Sequence, residues 1–284
     1  MPSCLFFLTI GDDDEMHHQA FLAVLTCLGH LGDQATRIVM CTDRPERYQW
    51  FGDRIECMVP SADELKAWRG NYDLFSRIKI EALSKLVAAD GPQDFLVLDS
   101  DILATQDLRP LLASIADGQL YMHKIEYPWA KGASPRVKRV WKHLSGKTYA
   151  GYLICPEIRM WNAGVQGVPA SRCEEVLTKE LELYDAFSDD GLYKLRHTTQ
   201  QHTISLVMQR AGELKPSDDW FRHYWANKHG HMKAVRRVLC DIMTRGMDAT
   251  AASHYAIEHP IVLPEAVRIH RWQQFLAKFI PEGA

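Results

Sequence analysis

Two carboxylates, Asp99 and Asp101, close the apolar run FLVL in the stretch DFLVLDSDILATQDL, residues 94–108. An apolar strand that ends on paired acids places oxygen ligands at its carboxyl end, where α/β sheets gather their ligands. Alternation along the strand puts both side chains on one side, roughly 7 Å apart at Cα. Two hard oxygen donors of this kind suit Mg²⁺ or Mn²⁺, ions that keep coordination positions open for phosphate oxygens. The bland alternative is a surface turn with an Asx cap. Against it stands the apolar context, because Ile102 and Leu103 follow the acids at once.

Other phosphate-binding devices are missing. The chain has no G-x-x-x-x-G-K-[ST], and the turn after the first apolar run reads GDDDE, which would repel a diphosphate. Acids there suit ribose hydroxyls or base N–H groups, which leaves phosphates to an ion further along. From Lys124 to Lys147 stand seven lysines and arginines and one acid, with Tyr127, Trp129 and Trp141 interleaved. Such a wall suits an anionic glycan or lipid-phosphate acceptor, with a solvated helix face as the alternative.

These residues need a scaffold, and the first hundred positions supply the pattern of an α/β layer with a mostly parallel sheet. CLFFLTI, ATRIVMCTD, RIECMVP and DFLVL read as strands. Helical spacing covers 16–31, which ends near Gly32, and 74–89, stopped by Gly91 and Pro92. Beyond Asp101 the spacing predicts helices over 108–115, from Ser134-Pro135, and over 171–185 and 200–211, with QLYMHKI, GYLICPE and AGVQGV as strands. The last fifty residues read as two or three helices. In the final one, Trp272, Phe275 and Phe279 beside Arg271 and Lys278 suit either core packing or a peripheral membrane contact.

A formal net charge of -3 carries no signature of nucleic-acid binding. Seven cysteines, an odd number without a C-x-x-C pair, read as buried thiols in a reducing compartment. The expectation is a cytoplasmic protein without a signal peptide or membrane span.

RIKIEAL, FLVLDSDILATQDLRPL, WNAGVQGV, TTQQHTISL and HYWANK stand in the order seen in nucleotide-sugar transferases, and over residues 4 to about 228 the chain resembles glycosyltransferase family 8. The resemblance implies a Rossmann-like GT-A fold over 1–228, with a nucleotide-binding half (1–105), an acceptor half (106–228) and a helical C-terminal extension (229–284). It also implies Mn²⁺ (or Mg²⁺), a UDP-sugar donor, and a glycan or lipid-linked saccharide acceptor. Position by position, it implies Asp99, Asp101 and His223 on the metal. Thr9, Asp12 or Asp13, Arg77, Lys79, Asp99, Gly164 and Lys228 would hold the donor, and Gln201 and Asn162 would stand at the reacting centre. Two departures stand out: Gln200 replaces the acid that normally precedes the glutamine, and Ala226 replaces a glycine in a loop one residue short.

Two rival functions remain. Phosphohydrolases of the haloacid-dehalogenase kind also end a strand on D-x-D, but want Thr or Val where Leu103 stands. Gln200 in place of an acid also suits a catalytically weak sugar-nucleotide-binding protein.

Overall fold

A computed structural model describes residues 3–32, 36–132, 134–195, 198–225 and 228–261, with backbone only at 136, 195, 228 and 229. The first half runs β1 (Cys4–Thr9), α1 (Asp14–Leu31), β2 (Arg37–Thr42), a 3-10 segment (Pro45–Arg54), β3 (Glu56–Met58), α2 (Ala62–Trp68), α3 (Arg77–Asp90), β4 (Phe95–Leu98) and β5 (Ile102–Ala104). Then come α4 (Arg109–Ala116), β6 (Leu120–Met122), β7 (Ile125–Pro128), α5 (Pro135–Leu144), β8 (Thr148–Tyr149), β9 (Tyr152–Leu153), β10 (Arg159–Trp161) and β11 (Val165–Val168). Last are α6 (Ala170–Asp189), α7 (Thr198–Ala211), β12 (Leu214–Pro216), β13 (Phe221–His223), α8 (Lys228–Thr244) and α9 (Ala249–Glu258).

Among the described residues, seven strands form the central sheet in the order β12-β6-β11-β4-β1-β2-β3. All neighbours run parallel except β11, which is antiparallel to both β4 and β6. That reversal positions the site. Val165 pairs with Leu98, so the residues just before β11 arrive beside those just after β4, and the Asp99 amide donates to the Gly164 carbonyl at 2.9 Å.

Strand alternation divides the core in two. Cys4, Phe6, Val39, Cys41, Phe95 and Val97 face the α3, α6 and α7 side, while Leu5, Phe7, Ile38, Met40, Leu96 and Leu98 face α1, α4, α8 and α9. Every residue of β4 is buried, as a central strand covered on both faces requires. Helices α8 and α9 pack on α1 and bury Met232, Val235, Ile242, Ala252 and Ala256 in the second half of the core. The approach is close at Gly29, where a Cβ would stand 2.7 Å from both Ile257 Cγ2 and the Ser253 carbonyl oxygen. Among the described residues no helix is long and apolar enough to cross a membrane. The aromatic stripe at Trp272, Phe275 and Phe279 lies outside them.

Local sequence explains the helix starts. Asp13 caps α1 by accepting from the Glu15 amide, Ser61 and Glu64 form a capping box on α2, and Ser134 caps α5 with Pro135 at its first position. Two sequence expectations need correction. The strand does not continue through the paired acids: β4 stops at Leu98, residues 99–101 form a turn, and β5 begins at Ile102. GYLICPE supplies only the two residues of β9, in a short hairpin with β8.

Candidate active site

The turn after β4 and the strand β13 build the centre. β13 runs antiparallel to β5 with His223 opposite Ile102, and the Tyr224 amide donates to the Asp101 carbonyl at 3.2 Å. His223 is thereby set against the acids. Asp99, Asp101 and His223 each offer one ligand atom, all within 4.8 Å of one another. Asp101 is only 2 % exposed, and its Oδ1 stands 3.2 Å from His223 Nε2. Two carboxylates and one imidazole are a donor set that fits a hard or borderline divalent ion, so the chemistry of this group suits Mg²⁺ or Mn²⁺. Lys79, on α3, reaches over to hydrogen-bond Asp99 Oδ1 and offsets part of the negative charge.

A second ring of side chains surrounds this group. Asn162 Oδ1 accepts from the Gly164 amide at 3.0 Å and lies 2.7 Å from His223 Nδ1. The Asn162 amide nitrogen donates to Glu126 Oε1 at 3.0 Å, and Gln201 Nε2 donates to Glu126 Oε2 at 2.8 Å. All open on a cavity of about 360 Å³ whose lining also includes Tyr127, Val137, Val140 and Gln200, with Trp225, 54 % exposed, at its edge. The acids and amides form the floor, and α5 contributes the apolar wall.

Gly164 is required by contact, since a Cβ there would overlap the His223 ring. Gly164→Ala must push the imidazole off the acids. We expect it to weaken divalent-ion affinity at least tenfold while the fold survives, read by titrating Mn²⁺ against the electron paramagnetic resonance of the free ion.

Gln200, one residue from Gln201, turns the other way. Its Nε2 donates at 2.7 Å to Glu180 Oε1, and burial pushes that carboxyl up to about 8, opposed by the Gln200 bond and by the charge of Lys79. Glu180 is thus a neutral acid below the site near pH 7. His123, whose ring packs edge-on against His223 with centroids 5.5 Å apart, is held down at about 4 by burial and stays neutral. Burial and neighbouring Glu126 raise the Tyr127 hydroxyl to about 12, so it remains a proton donor.

No protein-family model matches the sequence, and no curated protein matches it significantly. Solved structures do. Mouse xyloside xylosyltransferase 1, in its apo form, superposes with a TM-score of 0.50 at 12 % identity, covering 83 % of this chain and 93 % of that one. An active-site mutant of LgtC gives a TM-score of 0.47 at 15 % identity over 71 % of this chain and 69 % of that chain. The glycosyltransferase GlyE of Streptococcus pneumoniae TIGR4 gives 0.44 at 12 % identity over 87 % and 53 %. The chain has the GT-A fold.

On this GT-A scaffold the residues singled out from sequence divide into two groups. Asp99, Asp101, Asn162, Gly164, Gln201 and His223 converge on the cavity, with Lys79 behind Asp99. Arg77 does not reach it, because its guanidinium binds Asp185 at 2.8 and 2.9 Å, Glu81 at 2.6 Å and the Trp68 carbonyl at 3.1 Å. The i,i+4 pairing with Glu81 is the ordinary helix-surface use of such an arginine. Thr9 is fully buried, and the Tyr48 hydroxyl donates to its Oγ1 at 3.0 Å. Asp12 sits on the loop after β1 in a two-point bond with Arg44, which holds its carboxyl below the usual range. Lys228 opens α8, and its side chain lies outside the described residues.

Sequence reasoning missed Glu126 as a site residue. His231 is buried, with its ring 5.0 Å from that of Tyr224. In the basic stretch, Trp129 is fully buried and Trp141 packs against it with tilted rings, centroids 6.2 Å apart, so both serve packing. Only Tyr127 of those aromatics lines the cavity.

Proposed function

We propose that this chain is a metal-dependent glycosyltransferase that moves a hexose from a UDP-sugar to a glycan or lipid-linked acceptor. The observation that carries the reading is the Asp99, Asp101 and His223 group on the floor of a cavity that also presents Asn162 and Gln201. Those three side chains would hold Mn²⁺ or Mg²⁺, which when bound supplies a Lewis acid that offsets the charge building on a departing diphosphate. With His223 neutral, the two acids and Lys79 together carry one negative charge, so a divalent ion turns the group positive and suited to pyrophosphate.

The remaining roles belong to the chain's own amides and cations. Gln201, anchored through its nitrogen, turns its carbonyl oxygen away from Glu126, where it can meet the positive charge that develops at an anomeric carbon. Asn162 fixes His223. Lys228, at the start of α8, is the cation assigned to the diphosphate in this reading. In this reading residues 1–105 bind the nucleotide, with Asp12 and Thr9 nearest the nucleoside, residues 106–228 form the acceptor half, and 229–284 are an extension. Lys138, Arg139 and Lys142 are exposed on α5, whose Val137 and Val140 line the cavity, and this basic face suits an anionic acceptor.

Incubation with a panel of UDP-sugars, with and without Mn²⁺, tests the reading. Slow release of free sugar that requires Mn²⁺ is expected, since water replaces the absent acceptor. Tight nucleotide binding without turnover would instead favour a sugar-nucleotide-binding protein, a reading compatible with Gln200 being turned towards Glu180. Phosphate release from a simple phosphomonoester would point to a hydrolase.

A further inference from the structure

The hydrogen-bond polarity around Asn162 decides how His223 can act, and the deciding group is Glu126. His223 has two ways to carry a single ring proton. With the proton on Nε2 it would donate to Asp101 Oδ1, 3.2 Å away, and the nitrogen facing the acids would be closed to an ion. With the proton on Nδ1 it donates to Asn162 Oδ1 at 2.7 Å, and Nε2 presents its lone pair beside the two carboxylates. A neighbouring carboxylate favours the first arrangement. The second wins only if Asn162 turns an oxygen, and not its NH₂, towards the ring.

Two contacts hold Asn162 in that orientation. The Gly164 amide can only donate, and it points at Asn162 Oδ1 from 3.0 Å. Glu126 as a carboxylate can only accept, and it takes the Asn162 NH₂ at 3.0 Å. A flipped Asn162 would set donor against donor at Gly164 and acceptor against acceptor at Glu126, leaving both poorly paired in a site where Asn162 is 4 % exposed. The second oxygen of Glu126 does the same for Gln201, taking its Nε2 at 2.8 Å. One side chain from β7 therefore sets the polarity of two amides contributed by separate parts of the chain.

The geometry points to Glu126 as a positioning residue that, through Asn162, keeps the His223 proton on Nδ1 and leaves Nε2 open to a divalent ion. The part concerning the ion rests on the function proposed above; the part concerning the proton does not.

Long-range ¹H–¹⁵N spectra of the full-length, metal-free protein labelled at histidine test it, at a pH where the ring carries one proton. His223 is assigned by the signals lost in His223→Gln. In the unmodified protein the expected pattern is that of an Nδ1-protonated ring. Glu126→Ala should move part of the population to the Nε2-protonated form and raise the Kd for Mn²⁺ ten- to a hundredfold, the range typical of groups that orient a ligating histidine. An Nε2-protonated ring in the unmodified protein overturns the inference without any variant. An unchanged proton position in a folded Glu126→Ala overturns it as well, and a shifted proton with an unchanged Kd breaks its link to the ion. Should the unmodified protein bind no Mn²⁺, the proposed function falls, and the proton position still decides what Glu126 does.

Discussion

Mn²⁺ with UDP is expected to raise the thermal stability of the unmodified protein, and Asp101→Asn to abolish that gain. A ligand that binds only the folded state at about a hundred times its Kd contributes about 2.7 kcal/mol, worth several degrees in a chain of this size. Asp101 is the most buried of the three candidate ligands, and both Asp99 and His223 bring a potential ligand atom to within 4.8 Å of its own. Asparagine keeps the shape and one neutral oxygen but removes the charge that holds the ion, so binding should fall by two orders of magnitude or more. Melting curves at matched ligand concentrations measure the effect. A variant that still gains the full shift would show that the ion, if bound, is held elsewhere.

Glu180→Gln should have the opposite sign and a distinctive pH dependence. Glu180 is 1 % exposed on α6 and burial raises it to about 8, while in the unfolded chain it ionises in the ordinary carboxylate range. Because the folded value is the higher one, its contribution to stability is complete below about pH 4.5 and is lost as pH rises through 8. Glutamine keeps an acceptor for the Gln200 amide and never ionises. We expect the variant to match the unmodified protein at pH 4.5 and to exceed it by roughly 2–4 kcal/mol at pH 8, measured by urea denaturation at both values. Equal stability at pH 8 would mean that Glu180 ionises without penalty, and a loss at both values would mean that the carboxyl makes a bond glutamine cannot replace.

What could be read in the sequence follows from the range of each interaction. FLVL followed by two acids is a local signal, and so are the 3.6-residue stripes of α1 and α3, the N-terminal cap of α5 and the i,i+4 pairing of Arg77 with Glu81. Glu126 could not be found that way. It is one acid in a basic stretch, and its partners lie 36 and 75 residues away on elements that only the fold brings near. Strands β5 and β13 hide for a similar reason, because three residues each give no period to read and are stabilised by pairing with each other. The turn at residues 99–101 shows the same limit: the strand was legible, its end was not, yet the reversed strand β11 brings Gly164 alongside Asp99 all the same. Asp12 reads as an open carboxylate in GDDDE, and its pairing with Arg44, 32 residues on, is a contact only the fold brings about.

The most direct test is the anomalous difference map, collected near the manganese edge, of a crystal grown with Mn²⁺ and UDP. The account predicts a single strong peak within about 2.0–2.4 Å of a carboxylate oxygen of Asp99, one of Asp101, and Nε2 of His223. A map in which that space holds only solvent, with manganese absent or bound by other residues, would contradict it.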